Sequence, residues 1–394
     1  MSAAATFVYV SDAEDAAIDA YLMDTKTGAL TSIGKAEAGK TEMPMAVAPN
    51  KKFLYAVVRS QPMRVITYAI DGKTGALTQK ATAPLPDSMP YVSTDRSGRF
   101  LLTASYGGDK IAVSPIGADG LVTAEAIQVL PTGRNAHSIL ADRTNHFVYS
   151  ANLGANQVLQ FAFDAKTGKL APLDPPAVKP EPGHGPRHLA FSLDNKFLYV
   201  LNELSGHVTQ YAIDGKKGTL KLVDSVPSVP LELGMKWGQP QAPATPAAAP
   251  KPDEKPPIWA ADLRFTPNGK FLYTTERNTD KIALFTVAAH WQTHLRHQFC
   301  HRATATRHQY RSERALSRRF GRKIGSALGL SDRSSERQAR RTDPLSGGKG
   351  RQLDRDRRRE VSGGIAVDPR TGRIVPLSVI AALRGLVAEI KVGT

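Results

Sequence analysis

The sequence has 394 residues, of which 41% are hydrophobic and one is cysteine, and a formal charge of +16. This length is enough for one large domain or two ordinary ones. It contains no run of eighteen apolar residues that would cross a membrane, and one cysteine excludes an internal disulfide. The start, MSAAATFVYV, lacks the basic and long apolar segments of a secretory signal. We therefore expect a cytoplasmic protein without membrane contact.

A strand pattern recurs through the first three quarters of the chain. Each copy is a short apolar and aromatic run that follows a polar turn, as in Asp194-Asn195-Lys196 before Phe197-Leu198-Tyr199. The five full copies begin at Phe53, Phe100, Phe147, Phe197 and Phe271, which are 47, 47, 50 and 74 positions apart. A similar run, Phe7-Val8-Tyr9, opens the chain.

A second motif, Asp-x-x-x-Gly, lies between the strand runs. Its copies begin at Asp24, Asp71, Asp164 and Asp214, with a shortened copy at Asp119. Glycine supplies a positive φ and aspartate bonds back to the local backbone, so this motif predicts hairpins between antiparallel strands. A unit of about 47 residues with several short strands is typical of propeller blades. The sequence therefore predicts an all-β propeller.

The interval of 74 residues contains an insertion. Residues 226–257 include GQPQAPATPAAAPKPDEKPP, a proline- and alanine-rich tract without a packing pattern. We interpret it as a surface loop that is disordered or in the polyproline II conformation. The propeller domain is predicted to occupy residues 1–289 with this loop inserted.

The repeat stops after Val287. Residues 290–360 contain 19 Lys and Arg against 7 Asp and Glu, so this tract supplies most of the net charge. Codons permitted for the residues from His290 onward, read one nucleotide later, give TGKLTYV, which restores the missing hairpin, and further on QPRG and DPSGRYL. We predict a frameshift near Ala289, which makes residues 290–394 a largely unstructured basic tail. The alternatives are a nucleic-acid-binding tail and a metal cluster at His294, His297, Cys300 and His301.

Counting the opening strand, the five full units and the unit masked by the altered frame gives seven blades, the last of which is disrupted in this sequence. Closed propellers are commonly completed by strands from both chain ends, because this removes the free sheet edges.

Polar residues lie where the blade pattern directs loops toward the central channel. These are His137, Arg187, Glu203, Trp259, Asp262 and Arg277. Arginine recognises phosphate and carboxylate and stabilises an oxyanion, and histidine or glutamate can activate water. The alternatives are a structural Arg187–Glu203 ion pair, structural roles for His137 and His188, and inter-blade packing of Trp259. His146, His184 and His207 are assigned to the surface.

At these residues the chain resembles the seven-bladed propeller lactonases, which include bacterial 6-phosphogluconolactonases and fungal carboxy-cis,cis-muconate cyclase. The matching segments include PYVSTDRSGRFLLTASY (90–106), GPRHLAFSLDNKFLYVLNEL (185–204) and IWAADLRFTPNGKFLYTTERN (258–278).

The resemblance implies hydrolysis of 6-phospho-D-glucono-1,5-lactone in the pentose phosphate pathway, without cofactor or metal. The implied catalytic residues are His137, Arg187, Glu203 and Arg277, and the partner is a small anionic lactone rather than nucleic acid. The family's QPRG arginine is absent from this frame. A carboxymuconate-type cycloisomerase and a non-enzymatic binding scaffold remain alternatives.

Overall fold

The protein is described by a computed structural model. It describes residues 5–13, 15–41, 44–240, 255–279, 281–287, 298–299 and 387–391. The last two segments are described by their backbone pairing alone. Every structural statement below concerns these residues.

Twenty-four strands form six four-stranded antiparallel sheets in the described part of the chain. The first three sheets contain β1 (Thr6–Asp12), β2 (Ala17–Met23), β3 (Leu30–Glu37), β4 (Met45–Val47), β5 (Phe53–Val58), β6 (Arg64–Ile70), β7 (Leu77–Pro84), β8 (Tyr91–Thr94), β9 (Phe100–Ser105), β10 (Lys110–Pro115) and β11 (Gln128–Pro131). The fourth and fifth contain β12 (Ala136–Ala141), β13 (Phe147–Asn152), β14 (Gln157–Asp164), β15 (Lys169–Val178), β16 (Pro186–Phe191), β17 (Phe197–Asn202), β18 (His207–Ile213) and β19 (Leu220–Pro227). The sixth contains β20 (Ala260–Phe265), β21 (Phe271–Glu276), β22 (Lys281–Thr286) and β23 (Gln298–Phe299), and β24 (Val387–Lys391) joins the first sheet.

The sheets are the blades of a propeller, which confirms the predicted fold class. The innermost strands β4, β8, β12, β16 and β20 lie side by side in sequence order, and β24 lies next to β4. Each predicted strand run falls on the second strand of a sheet, and each Asp-x-x-x-Gly motif falls on the turn between the third and fourth. None of the described segments forms a helix long and apolar enough to cross a membrane.

The first sheet is built from both ends of the chain. Strand β24 pairs antiparallel with β1, from Thr6 opposite Lys391 to Val10 opposite Val387. It occupies the innermost position, which β4 and its equivalents fill in the other sheets. The edge of β1 is therefore covered.

Six sheets, rather than the predicted seven, are present in the described residues. The predicted tail, residues 290–394, lies outside them except for β23 and β24, and the alternative metal cluster also lies outside the described residues. Strand β23 forms a short ladder with β22, with Ala283 opposite Phe299 and Leu284 opposite Gln298. Two strands, β23 and β24, thus come from the predicted tail.

Neighbouring sheets are joined by a contact that recurs around the ring. The tyrosine of the strand run in one sheet donates its hydroxyl hydrogen bond to the glycine carbonyl of the next sheet's hairpin. The donor and acceptor pairs are Tyr9 and Gly75 (2.7 Å), Tyr55 and Gly120 (3.0 Å), and Tyr149 and Gly218 (2.7 Å). We call these contacts tyrosine–glycine clasps.

In each clasp, the phenylalanine that begins the strand run packs against the same glycine. Gly75, Gly120 and Gly218 have positive φ, and a Cβ built on any of them would collide with Phe7, Phe53 or Phe147, respectively. The glycine is thus required both for its conformation and for the close approach of the ring.

Part of the insertion is ordered against the propeller. Leu231–Leu233 forms a short 3₁₀ helix, and Trp237 packs against His184 and His207, with ring centroids 5.1 and 5.9 Å away. Residues 241–254 of the proline- and alanine-rich tract lie outside the described part. The surface assignment is wrong for His184, which is buried, whereas His146 is exposed as predicted.

Candidate active site

β-Bulges occur at the same level in three neighbouring innermost strands. In β12 the pairing shifts between Ala136 and Ser138, and in β16 it shifts between Pro186 and His188. His137 and Arg187 are therefore left out of their ladders. In β20 the shift lies between Ala260 and Leu263. A bulge re-aims the side chain of the extra residue, and here it places His137 and Arg187 at the same end of the channel.

Glu203 and Arg277 come to this end from the loops that follow second strands. Glu203 follows β17, and its peptide N–H donates to the Gly185 carbonyl at 2.8 Å. Arg277 follows β21, and its peptide N–H donates to the Trp259 carbonyl at 3.2 Å. Both loops are thus tied to the segment that precedes the innermost strand of the same sheet.

The two arginines converge on one carboxylate oxygen. Arg187 donates from Nε to Oε2 of Glu203 at 2.6 Å, and Arg277 donates from a terminal nitrogen to the same oxygen at 2.9 Å. Side-chain exposure is 14% for Arg187, 6% for Glu203 and 16% for Arg277. We call these three residues the Arg–Glu–Arg cluster. It carries a net positive charge in a largely water-excluded position, where an anion is attracted strongly.

Trp259 completes the coordination of the carboxylate. Its indole Nε1 donates to Oε1 of Glu203 at 3.1 Å. The Arg277 guanidinium lies over its ring, 4.1 Å from the centroid, which is a favourable cation–π arrangement. Trp259 therefore belongs to the cluster, in addition to any packing role between blades.

Burial and neighbouring charge lower the pKa of Arg187 to about 10. The largest cause is desolvation, followed by the charge of Arg277, while Glu203 acts in the opposite direction. Arg187 therefore remains protonated at neutral pH.

His137 is buried beside the cluster. Its ring lies 5.1 Å from that of His188 and 5.8 Å from that of Tyr106, in edge contacts. Within the described residues its Nδ1 has no hydrogen-bond partner. Burial, and then the positive charge of Arg187, hold the pKa of His137 well below 6.5. The imidazole is therefore neutral at physiological pH and able to accept a proton.

His188 lies between Arg187 and an aspartate on the next blade. Its Nδ1 is 2.7 Å from Oδ1 of Asp262, and its Nε2 is 3.1 Å from a terminal nitrogen of Arg187. The sequence favours a structural role for His188, because it enters a strand, and does not reveal its contact with Arg187. The polar Asp262 in the equivalent strand of the next repeat was a signal that could have indicated the pair.

The site thus contains the four predicted residues and joins three blades. His137 lies on the fourth sheet, Arg187 and Glu203 on the fifth, and Arg277 on the sixth. Among the described ranges no group of three or more His, Cys, Asp or Glu side chains is arranged to hold a metal ion. Two guanidinium groups and a neutral imidazole can bind an anionic carbonyl compound, stabilise an oxyanion and move a proton.

A propeller with this arrangement of arginines and histidine is suited to acyl chemistry on a small anionic ester. The sequence matches the family described as "Lactonase, 7-bladed beta-propeller" over residues 7–308. This is well over half of the chain, and the protein belongs to that family. The predictions of the family and of a lactone hydrolase are confirmed.

Similar proteins of known name include several 6-phosphogluconolactonases. That of Erwinia tasmaniensis is 34% identical over 282 residues, which are 72% of this chain and 77% of that protein. That of Serratia proteamaculans is 35% identical over 283 residues, covering 71% of this chain and 77% of that protein.

Solved structures share the fold at lower identity. The periplasmic gluconolactonase of Pseudomonas aeruginosa superimposes with a TM-score of 0.62 at 24% identity, covering 75% of this chain and 82% of that one. A Lactobacillus plantarum protein superimposes with a TM-score of 0.59 at 21% identity, covering 76% and 82%. These two support the architecture alone.

Proposed function

We propose that the protein hydrolyses 6-phospho-D-glucono-1,5-lactone to 6-phosphogluconate at the Arg–Glu–Arg cluster, with His137 as the proton acceptor. One observation carries the assignment of the site. Two arginines share one carboxylate oxygen in a buried position beside a neutral histidine that has an unpartnered ring nitrogen. The names of the relatives supply the substrate class, and a phosphorylated lactone suits the positive charge of the cluster.

In the proposed reaction His137 removes a proton from water while the water oxygen bonds to the lactone carbonyl carbon. Arg187 and Arg277 stabilise the negative charge that develops on the carbonyl oxygen. When the tetrahedral intermediate collapses, the bond to the ring oxygen breaks and the proton passes from His137 to that oxygen. Water is thus added across one ester bond, and the product carries a hydroxyl and a carboxylic acid, which ionises.

His137 is favoured over Glu203 as the base because of what each already binds. Oε2 of Glu203 accepts from both arginines and Oε1 accepts from Trp259. Both carboxylate oxygens of Glu203 are thus already occupied by donors of the protein. Glu203 instead holds the two guanidinium groups in place.

The test is lactone hydrolysis by the chain as written and by a chain whose reading frame is restored at codon 290. Formation of 6-phosphogluconate above the spontaneous rate is expected from at least the restored chain. Arg187→Ala should lower kcat/KM about 100-fold, while Arg99→Ala, an exposed arginine on the opposite face, should have little effect.

Other outcomes would overturn the proposal. Activity on carboxymuconate alone would assign a cycloisomerase, in which the same arginines bind carboxylates. No activity on either substrate from the restored chain would leave a binding scaffold.

Four finer predictions accompany this proposal. We propose that the ring has seven blades once the frame is restored, in agreement with the family description. We also propose that the uninterrupted repeat of the chain as written ends near residue 289, so that β23 and β24 are the propeller strands that lie beyond it. A role in the pentose phosphate pathway and a cytoplasmic location follow from the proposed substrate and remain to be tested by assay of cell fractions.

A further inference from the structure

A buried pair behind Arg187 is not used by the proposed reaction. His188 is 5% exposed and Asp262 is 1% exposed. The His188 ring also contacts the rings of His137 and Tyr91, at 5.1 and 5.3 Å between centroids. It therefore has little freedom to rotate, and its two nitrogens face fixed partners.

Asp262 determines which nitrogen of His188 carries the proton. Its Oδ1 accepts from Nδ1 of His188 at 2.7 Å and from the Leu263 peptide N–H at 2.9 Å, while Oδ2 lies 3.2 Å from Arg264. An acceptor-only carboxylate next to Nδ1 requires the proton on that nitrogen. Nε2 of His188 is then left with a lone pair, directed at Arg187 3.1 Å away.

Arg187 is held by three acceptors at once. Nε donates to Glu203 at 2.6 Å, and a terminal nitrogen donates to Nε2 of His188 and to the Ala261 carbonyl. Ala261 lies at the bulge of β20, which frees that carbonyl from the ladder. The guanidinium plane is therefore defined by groups on two blades, and it cannot turn without breaking one of these bonds.

We propose that His188 and Asp262 are positioning residues for Arg187. Asp262 fixes the His188 tautomer in which Nε2 accepts a hydrogen bond from Arg187, and this hydrogen bond orients the Arg187 guanidinium toward the substrate. This inference rests on the proposed function for its kinetic readout, but the tautomer itself can be measured without substrate. Neither residue is required to touch the lactone.

Two amide substitutions separate the two nitrogens of His188. In His188→Gln the amide can reach the Nε2 position and accept from Arg187, whereas in His188→Asn it reaches only the Nδ1 position and contacts Asp262. We expect His188→Asn to have kcat lowered about tenfold or more relative to His188→Gln, as for loss of one hydrogen bond to a charged group. Exposed His146→Asn is the matched control. Equal kcat values for the two folded variants would overturn the proposal.

The second measurement is the ¹⁵N NMR spectrum of His188. The protein as it exists should show the proton on Nδ1, and Asp262→Asn should move it to Nε2. In a double-mutant cycle, Asp262→Asn should lower kcat less in the His188→Gln variant than in the unsubstituted protein, because Asp262 acts on Arg187 by way of the His188 imidazole. A proton on Nε2 in the unsubstituted protein would overturn the proposal even if lactonase activity is present. Absence of lactonase activity with the expected spectrum would instead contradict only the proposed function.

Discussion

Glu203 holds two guanidinium groups that would otherwise repel each other. Because its side chain is 6% exposed, Glu203→Gln leaves two positive charges without a counter-charge in a dry site. Breaking a buried ion pair in this way costs about 3–5 kcal/mol of stability. We expect a fall of this size in the free energy of unfolding, measured with denaturant, together with a large loss of kcat.

The control for this prediction is Glu125→Gln, because Glu125 is exposed and lies between β10 and β11. Equal free energies of unfolding for the two variants would mean that the charge of Glu203 does not stabilise the two buried arginines.

A second prediction concerns the pH profile. A histidine acts as a general base in its neutral form, and the pKa of His137 lies well below 6.5 because of burial and Arg187. The hydrolysis rate, after subtraction of the spontaneous rate, should therefore stay level from pH 7.5 down to about pH 6.5 and fall only at lower pH.

His137→Gln should lose most of this rate at every pH. An inflection at or above the ordinary histidine pKa of about 6.5 would exclude His137 as the base.

At the level of residues, the sequence was informative where the repeat made a residue unusual. Arg187 and Glu203 differ in type from the residues at the equivalent positions of other units, so the repeat alone does not account for them. The strand pattern alone does not give the pairing of His188 with Asp262, since it joins positions 74 apart through bulges that this pattern does not show. The distinction between His137 and Glu203 as the base likewise depends on hydrogen-bond partners, which a sequence does not give.

At the level of strands and hairpins, a hairpin glycine of one blade packs against a phenylalanine of the preceding blade. One hairpin contains both such a glycine and an unpacked one, which serves as its control. Gly218 has a φ of +73°, and a Cβ there would collide with Phe147. Gly215, in the same turn, has nothing within 4 Å of the equivalent position. Gly218→Ala should therefore lower the free energy of unfolding by about 2–4 kcal/mol, through a left-handed residue and overpacking.

Gly215→Ala should change that free energy by less than about 1 kcal/mol. If both variants had the same stability, the inter-blade packing of Phe147 on Gly218 would not contribute to folding.

The strands and hairpins could be predicted from the sequence as separate elements, but the contacts between neighbouring blades could not. The Phe-x-Tyr run and the Asp-x-x-x-Gly motif each follow a local rule of alternation or turn conformation. The hydrogen bond from Tyr149 to Gly218 links residues 69 positions apart, and only the closed arrangement of blades makes them neighbours. The ordered part of the insertion was missed for a similar reason, because Trp237 packs on residues of another loop.

Across the whole molecule, several buried histidines make stability depend on pH. The pKa of His184 is lowered to about 4 by burial and then by His207, and burial also lowers those of His137 and His188. Below about pH 6.5 the unfolded chain binds protons that the folded chain does not. Stability should be greatest above this pH and fall progressively as the pH is lowered toward 4.

Urea denaturation at several pH values checks this. His184→Gln should show a shallower dependence than the unsubstituted protein, while exposed His146→Gln should keep the original one. A stability independent of pH between 6.5 and 4 would contradict the burial of these neutral imidazoles.

A fifth prediction concerns the interrupted repeat. The fifth sheet's Tyr199 hydroxyl accepts from Gln210 at 2.9 Å, and the hairpin glycine that a sixth-sheet clasp would use falls in the tract after Val287. Restoring the frame places the sequence TGKL there. The restored chain should gain about 1 kcal/mol or more for a recovered clasp hydrogen bond, and additional stability from a complete seventh blade, measured as a higher unfolding midpoint.

Each of the three tyrosine–glycine clasps links one blade to the next, and the candidate site bridges the fourth, fifth and sixth blades. Separation of the fifth and sixth blades would move Arg277 away from Glu203 while leaving both sheets folded. A lactone that contacts both arginines would therefore bind to the closed ring in preference to the open one and hold those blades together. Substrate affinity and ring closure are then coupled equilibria, so a change that weakens the contact between the fifth and sixth blades should also weaken lactone binding.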